Sequence, residues 1–194
     1  MNSITAKGFV ATPASGLSSG QRAGQLPGMP DVQGEPGRRN LAIERVGVRG
    51  LRYPVLVQAN GQAQPSVAEF ELSVSLPAGQ KGTHMSRFVG LLEAMSKEAI
   101  CLSPASLRKL SKDMVAMLEA RDGSFNCSFP FFIRKTAPVS GVQSLMDYKV
   151  ALSCDVQGGE PSRLGVCLKV PVKSLCPCSK EISDYGAHNQ RSEV

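Results

Sequence analysis

One alternating stretch restricts the fold of this chain more than any other. Ala68, Phe70, Leu72, Val74 and Leu76 alternate with Glu69, Glu71, Ser73 and Ser75. A period of two puts the apolar set on one side of a β-strand and the polar set in water. A sheet with one wet face is normally antiparallel. The strand therefore needs neighbours that alternate in the same way, and a layer that covers its apolar side. Residues from about Leu51 to Gln58 supply one neighbour, with an irregular extended lead-in from Leu41. Asn60-Gly61, between the two runs, is a hairpin turn signal. Phe125, Cys127, Phe129, Phe131 and Ile133 supply another, and Tyr148, Val150, Leu152, Cys154 and Val156 a fourth. Pro130 has no N–H to give to a ladder, so its strand is expected at an edge or bulged there.

Between these pairs the apolar spacing becomes helical. Phe88, Leu91, Leu92, Met95 and Ala99 form one stripe, with Ser86 as the expected N-cap. Leu107, Leu110, Met114, Met117 and Leu118 form a second, with Ser103 as N-cap, Pro104 at the first helical position and Asp122-Gly123 as its end. Strand, strand, helix, helix, strand, strand predicts an α+β domain with two helices on one face of a four-stranded antiparallel sheet. A turn at Gly158-Gly159-Glu160-Pro161 leads into a fifth strand, with Leu164, Val166, Leu168, Val170 and Val172 on one face. Ser179 to Tyr185 predicts a turn or two of helix, and Gln190 onward the start of a sixth strand. Residues 1–39, rich in Gly, Pro, Ser and Gln, read as a flexible leader.

The chain has 194 residues, a formal net charge of +6 and ordinary hydrophobic content. That charge suits an anionic small molecule or a nucleic acid. The basic residues are scattered, with pairs such as Arg38-Arg39 and Arg134-Lys135. Nucleic-acid binders show a basic patch or a recognised module, so no nucleic-acid partner is expected. There is no apolar run of about eighteen residues, so no membrane span is expected. The N-terminal MNSITAKGFVATPASG lacks a signal-peptide core. A cytoplasmic protein with reduced cysteines is the expectation. Cys127, Cys154 and Cys167 lie on or beside the apolar phase of strands and read as small buried hydrophobes.

Reactive side chains concentrate in VPVKSLCPCSKEISDYGAHNQRSEV, residues 170–194, which holds Cys176, Cys178, Glu181, Asp184 and His188. Thiolate and imidazole favour zinc and similar ions. Cys176 and His188 can meet across a turn at one metal; with Cys178 they offer at most three close ligands, and a three-ligand open site is of the catalytic kind. Equally, Cys176 could be a nucleophile whose pKa is lowered by His188 and by a helix starting near Ser179, with Glu181 as an acid–base group. The structural alternative is a packed Cys178, a loop thiol at Cys176, a surface His188 and a first-turn helix carboxylate at Glu181. His84 and Arg87, at the start of the first helix, form either an anion site or a polar capped loop.

Four phrases together resemble the type IB GTP cyclohydrolases: Arg45-Val46-Gly47-Val48, Leu51-Arg52-Tyr53-Pro54, Lys81-Gly82-Thr83-His84-Met85-Ser86-Arg87-Phe88, and SLCPCSKEISDYGAHNQRS. The resemblance runs from about Asp31 to the last residue. It implies a tunnelling fold, in which modules of two strands, two helices and two strands assemble into barrels with active sites between subunits. It divides the chain into a leader (1–39), a first module (40–158) and the start of a second (159–194). It implies hydrolysis of GTP to 7,8-dihydroneopterin 3′-triphosphate and formate, the first step toward tetrahydrofolate. It also implies a divalent ion such as Mn²⁺ or Zn²⁺ and assembly into a homo-oligomer. Cys176 matches a catalytic, metal-coordinating cysteine, and His188 a metal-coordinating histidine. His84 and Arg87 are expected at the triphosphate or ribose. Family members continue past the motif with further metal ligands and a glutamate that anchors guanine. A chain ending at Val194 is thus expected to be a truncated form, completed by other copies or catalytically inactive with only an oligomerising module left.

Overall fold

The alternation at Ala68–Leu76 is resolved as expected: Ala68, Phe70, Leu72, Val74 and Leu76 are buried, and Glu69 and Glu71 are exposed. A computed structural model describes residues 36–37, 40–59, 61–184 and 188–194. The leader expected over 1–39 therefore lies, but for Pro36 and Gly37, outside the described residues. Strands β1 (Ile43–Ala59) and β2 (Gln62–Leu76) form a hairpin whose last pair is Ala59↔Gln62. The intervening loop includes Gly61 at φ 79°, the conformation expected there; its neighbour Asn60 lies outside the described residues. Helix α1 (Met85–Lys97), a two-residue strand β3 (Cys101–Leu102) and helix α2 (Pro104–Met117) follow. Strands β4 (Gly123–Thr136), β5 (Gln143–Gln157) and β6 (Glu160–Lys169) complete a six-stranded sheet in the order β3-β1-β2-β4-β5-β6. Among the described residues only the short β1–β3 pairing is parallel.

One hydrophobic cluster joins the two helices to one face of the sheet. Phe88, Leu92 and Met95 of α1, with Leu107, Leu110 and Met114 of α2, meet Phe70 and Leu72 of β2, Phe125 of β4 and Leu152 of β5. The register brings these rows into line: Phe70 faces Cys127, which faces Leu152. This is the α+β layout predicted, with β3 and β6 added at the two edges of the sheet. The described residues belong to one compact unit, Val32–Val194.

Four local expectations need correction. Cys167, read as a small buried hydrophobe, is exposed, because it lies on the edge strand β6. The lead-in from Leu41 is not irregular, because β1 starts at Ile43. Its apolar phase is even at Val46 and Val48 but odd at Leu51, Tyr53, Val55 and Val57, and a register shift between Arg49 and Leu51 reconciles the two. Gly50, at φ 75°, occupies that bulge. Helix α1 is capped by His84 rather than Ser86, because the chain turns two residues earlier, with Arg87 N–H donating to the His84 carbonyl at 3.0 Å. The fifth strand does not run through Val172. Pro171 ends it, and the Val170 N–H and carbonyl bond to Val194 instead. By contrast Ser103 caps α2 as expected, in a reciprocal box with Ser106.

Pro130 also sits as its chemistry requires. Pairing of β4 with β2 stops at Glu69↔Ser128, while β4–β5 continues to Thr136↔Gln143. Past that point β2 side chains replace the ladder. Ser66 Oγ donates to the Pro130 carbonyl at 2.8 Å, and Gln64 exchanges two bonds of 3.1 Å with the Phe132 backbone.

Among the described glycines, Gly47 lies closest to neighbouring backbone. A Cβ there would overlap the Leu72 carbonyl oxygen and crowd Ser73 Cα at 2.7 Å. Both neighbours are backbone, so neither can rotate away. Gly47→Ala is expected to lower the unfolding free energy by about 1–3 kcal/mol, read as a lower urea midpoint. An unchanged midpoint would show that β1 and β2 are not this close.

Candidate functional site

After Val170, strand β7 (Pro171–Leu175) pairs with β8 (Asn189–Glu193) in a separate two-stranded ladder. The loop between them includes helix α3 (Pro177–Ile182), close to the turn or two of helix predicted. Cys176 follows the last residue of β7, and His188 precedes the first of β8. The Cys176 N–H donates to the His188 carbonyl at 3.2 Å, extending the ladder by one rung. Backbone pairing thus brings together two residues twelve apart in sequence, as their spacing allowed.

Cys176 is also the N-cap residue of α3, with Pro177 in the first turn. Only 9% of its surface is exposed, yet it lies outside the main hydrophobic cluster. Its thiol pKa is held below the ordinary value, first by the Ser179 N–H and then by the Ser179 hydroxyl, with the Cys178 N–H and side chain adding to them. Partial burial opposes these effects without cancelling them. No geometrically strict cap bond reaches the Cys176 side chain, so the stabilisation is chiefly that of nearby donors on a thiolate. The other motif residues, Cys178, Glu181 and Asp184, are exposed.

The sequence named Ser179 only as the start of a helix that would stabilise the thiolate; what it did not single out is the Ser179 hydroxyl. Its Oγ lies 2.9 Å from His188 Nδ1, and the His188 N–H reaches the same oxygen at 3.4 Å. One hydroxyl therefore touches the histidine and also acts on the Cys176 thiol. With Nδ1–H as donor to Ser179 Oγ and the hydroxyl proton directed to sulfur, Nε2 keeps its lone pair for a metal. A signal was present: Ser179 is the third residue after the N-cap, where a polar side chain reaches back to the cap.

These donors fit a divalent ion in kind, a thiol biased toward thiolate and an imidazole with one nitrogen fixed. Among the described residues no cluster of three or more His, Cys, Asp or Glu side chains accompanies them. Ser179→Ala is expected to weaken Zn²⁺ binding about 10–100-fold. It should also move half-maximal alkylation of Cys176 to higher pH, because thiolate is the reactive form and its stabilising donor is lost. Unchanged affinity and unchanged pH dependence would remove Ser179 from the site.

His84 and Arg87 lie elsewhere, on α1, which packs against β1 and α2. His84 is half-buried at the helix N-cap. Arg87 is engaged: its Nη1 donates to the Met117 carbonyl at 2.7 Å and stands 3.6 Å from the Glu119 carboxylate. It thereby satisfies an orphan carbonyl at the end of α2.

A family model described as type I GTP cyclohydrolase FolE2 matches residues 29–194. The chain belongs to this family. It is 53% identical over 167 residues to GTP cyclohydrolase FolE2 of Paraburkholderia xenovorans, covering 86% of this chain and 61% of that protein. It is 54% identical over 166 residues to the protein of the same name from Cupriavidus necator, with the same coverage. The corresponding Herminiimonas arsenicoxydans protein is 53% identical over 168 residues, covering 86% and 62%. The chain thus spans about three fifths of the length of these FolE2 relatives. Among the described residues no helix is long and apolar enough to cross a membrane.

Proposed function

We propose that the chain serves a type IB GTP cyclohydrolase, converting GTP to 7,8-dihydroneopterin 3′-triphosphate and formate at the head of tetrahydrofolate synthesis. The observation that carries this reading is the meeting of Cys176 and His188 at the end of the β7–β8 ladder, with the Ser179 hydroxyl on the histidine ring. Family membership and relatives named GTP cyclohydrolase support it. The reaction requires water to attack C8 of guanine and protons to move as the ring opens and formate leaves. A bound Mn²⁺ or Zn²⁺ supplies Lewis acidity and a water that deprotonates near neutral pH. Cys176 and His188 would hold that ion, and Ser179 would keep the thiolate and imidazole in their coordinating forms.

The same reading places the sheet in a tunnelling fold of a cytoplasmic homo-oligomer whose ligand is GTP, with neither nucleic acid nor membrane as partner. Self-association is supported by the edge strand β6, where Val166 and Leu168 are 55% and 56% exposed. Further coordinating groups would come from outside the described residues, another copy included. His84 is proposed near the ribose or triphosphate. Arg87 could join it only by leaving Met117 and Glu119.

The deciding assay is formate release from GTP with Mn²⁺, Zn²⁺ and other divalent ions in turn. Metal-dependent release is the expected result. No release with any ion, alongside measurable metal uptake at Cys176 and His188, would reduce the chain to an inactive metal-binding module.

A further inference from the structure

We propose that the helix-free face of the sheet carries a polyphosphate-binding site formed by Arg52, Lys149, Lys169 and Arg191. These four cations line one cleft of about 340 Å³, which takes in residues of β1, β2, β4, β5 and β6 and of the β7–β8 ladder. All four are exposed. Among the described residues none of them is held in an ion pair.

Register makes the charge arrangement specific. Lys149 stands directly opposite Lys169 across β5–β6. Lys173 stands directly opposite Arg191 across β7–β8. Like charges opposed across a ladder are destabilising, and here two such pairs contribute three of the four cations of the cleft. Three carboxylates, Glu69, Asp147 and Glu193, line the same space. Glu69 is the cross-strand partner of Arg52, Glu193 faces Pro171 and Asp147 faces Phe132. None of the three stands opposite either lysine. A chain of phosphates carries several negative charges along its length. It can engage two opposed ammonium groups and a guanidinium together, which one carboxylate cannot. The inference stands on register and charge; only where the anion is the tail of GTP does it rest on the function proposed above.

The test is calorimetric titration of inorganic triphosphate into the 194-residue chain at low salt. Lys149→Gln with Lys169→Gln is expected to weaken binding about tenfold or more. Without triphosphate this double variant should melt no lower than the parent, because it removes a repulsion. Arg108→Gln with Lys109→Gln changes net charge equally on the exposed side of α2 and should leave affinity within about twofold. Equal losses in the two double variants would reduce the effect to diffuse charge and overturn the proposal, as would no uptake of triphosphate by the parent chain. GTP and guanosine titrations identify the source of the anion. A parallel loss for GTP, with guanosine unaffected, means the cleft takes the nucleotide's tail; a loss for triphosphate alone means it holds a free polyphosphate. Absent formate release with intact triphosphate binding overturns the enzymatic reading and leaves this site standing.

Discussion

Replacing Cys176 with alanine is expected to abolish metal-dependent formate release from GTP and to remove most of the Zn²⁺ binding of the chain. The substitution deletes the thiolate donor while leaving the backbone rung intact, because the Cys176 N–H, not its side chain, bonds His188. The fold should therefore survive, and an unchanged melting curve without metal separates loss of the site from loss of structure. His188→Ala deletes the other proposed donor and should show the same pattern. The pH dependence follows from the direction of the Cys176 shift. A lowered pKa keeps thiolate present below the ordinary thiol range. Metal uptake should decline only as pH falls through that lowered value, where protons compete for the sulfur. If Cys176→Ala retains full Zn²⁺ affinity, the metal is held elsewhere and the thiol is free to be a nucleophile, the other sequence reading.

The largest stability effect is expected at Phe70. This ring is fully buried on β2, between β1 and β4, and meets Phe125 edge-on, with centroids 5.9 Å apart and planes at 89°. Phe70→Ala removes the transfer free energy of a large ring and leaves a cavity beneath both helices, a loss of about 3–5 kcal/mol. Phe70→Leu should cost clearly less. Urea unfolding would read this as a lowered midpoint with an unchanged slope. A loss below about 1 kcal/mol would mean that the helices do not close over β2.

The sequence made the scaffold legible where one periodicity governed a whole element. β2, β4 and β5 alternate cleanly, and α1 and α2 carry helical stripes, so each element could be read from its own residues. β1 could not, because Gly50 shifts the phase and splits one strand into two half-patterns. A window that assumes one phase sees irregularity there, although Val46, Val48, Leu51 and Tyr53 all pack against the same cluster. Val170 and Val172 continued the alternation of β6 by phase alone. What ended β6 was the missing N–H of Pro171 and the availability of Val194, a partner supplied from the far side of the loop.

The site divides in the same way. Cys176 and His188 stood out because soft ligands are scarce and their types name the chemistry. By itself the sequence determined the donor types, the antiparallel α+β scaffold and, through its motifs, the family. Only the tertiary structure decided that one ladder rung sets Cys176 beside His188, that Ser179 touches the histidine and tunes the thiol, and that Arg87 is occupied at the end of α2. It also decided that Lys149 faces Lys169. The physical reason is that these facts are distances between residues far apart along the chain. Periodicity assigns a residue to a face, but the hydrogen-bond register alone decides which residue stands opposite it.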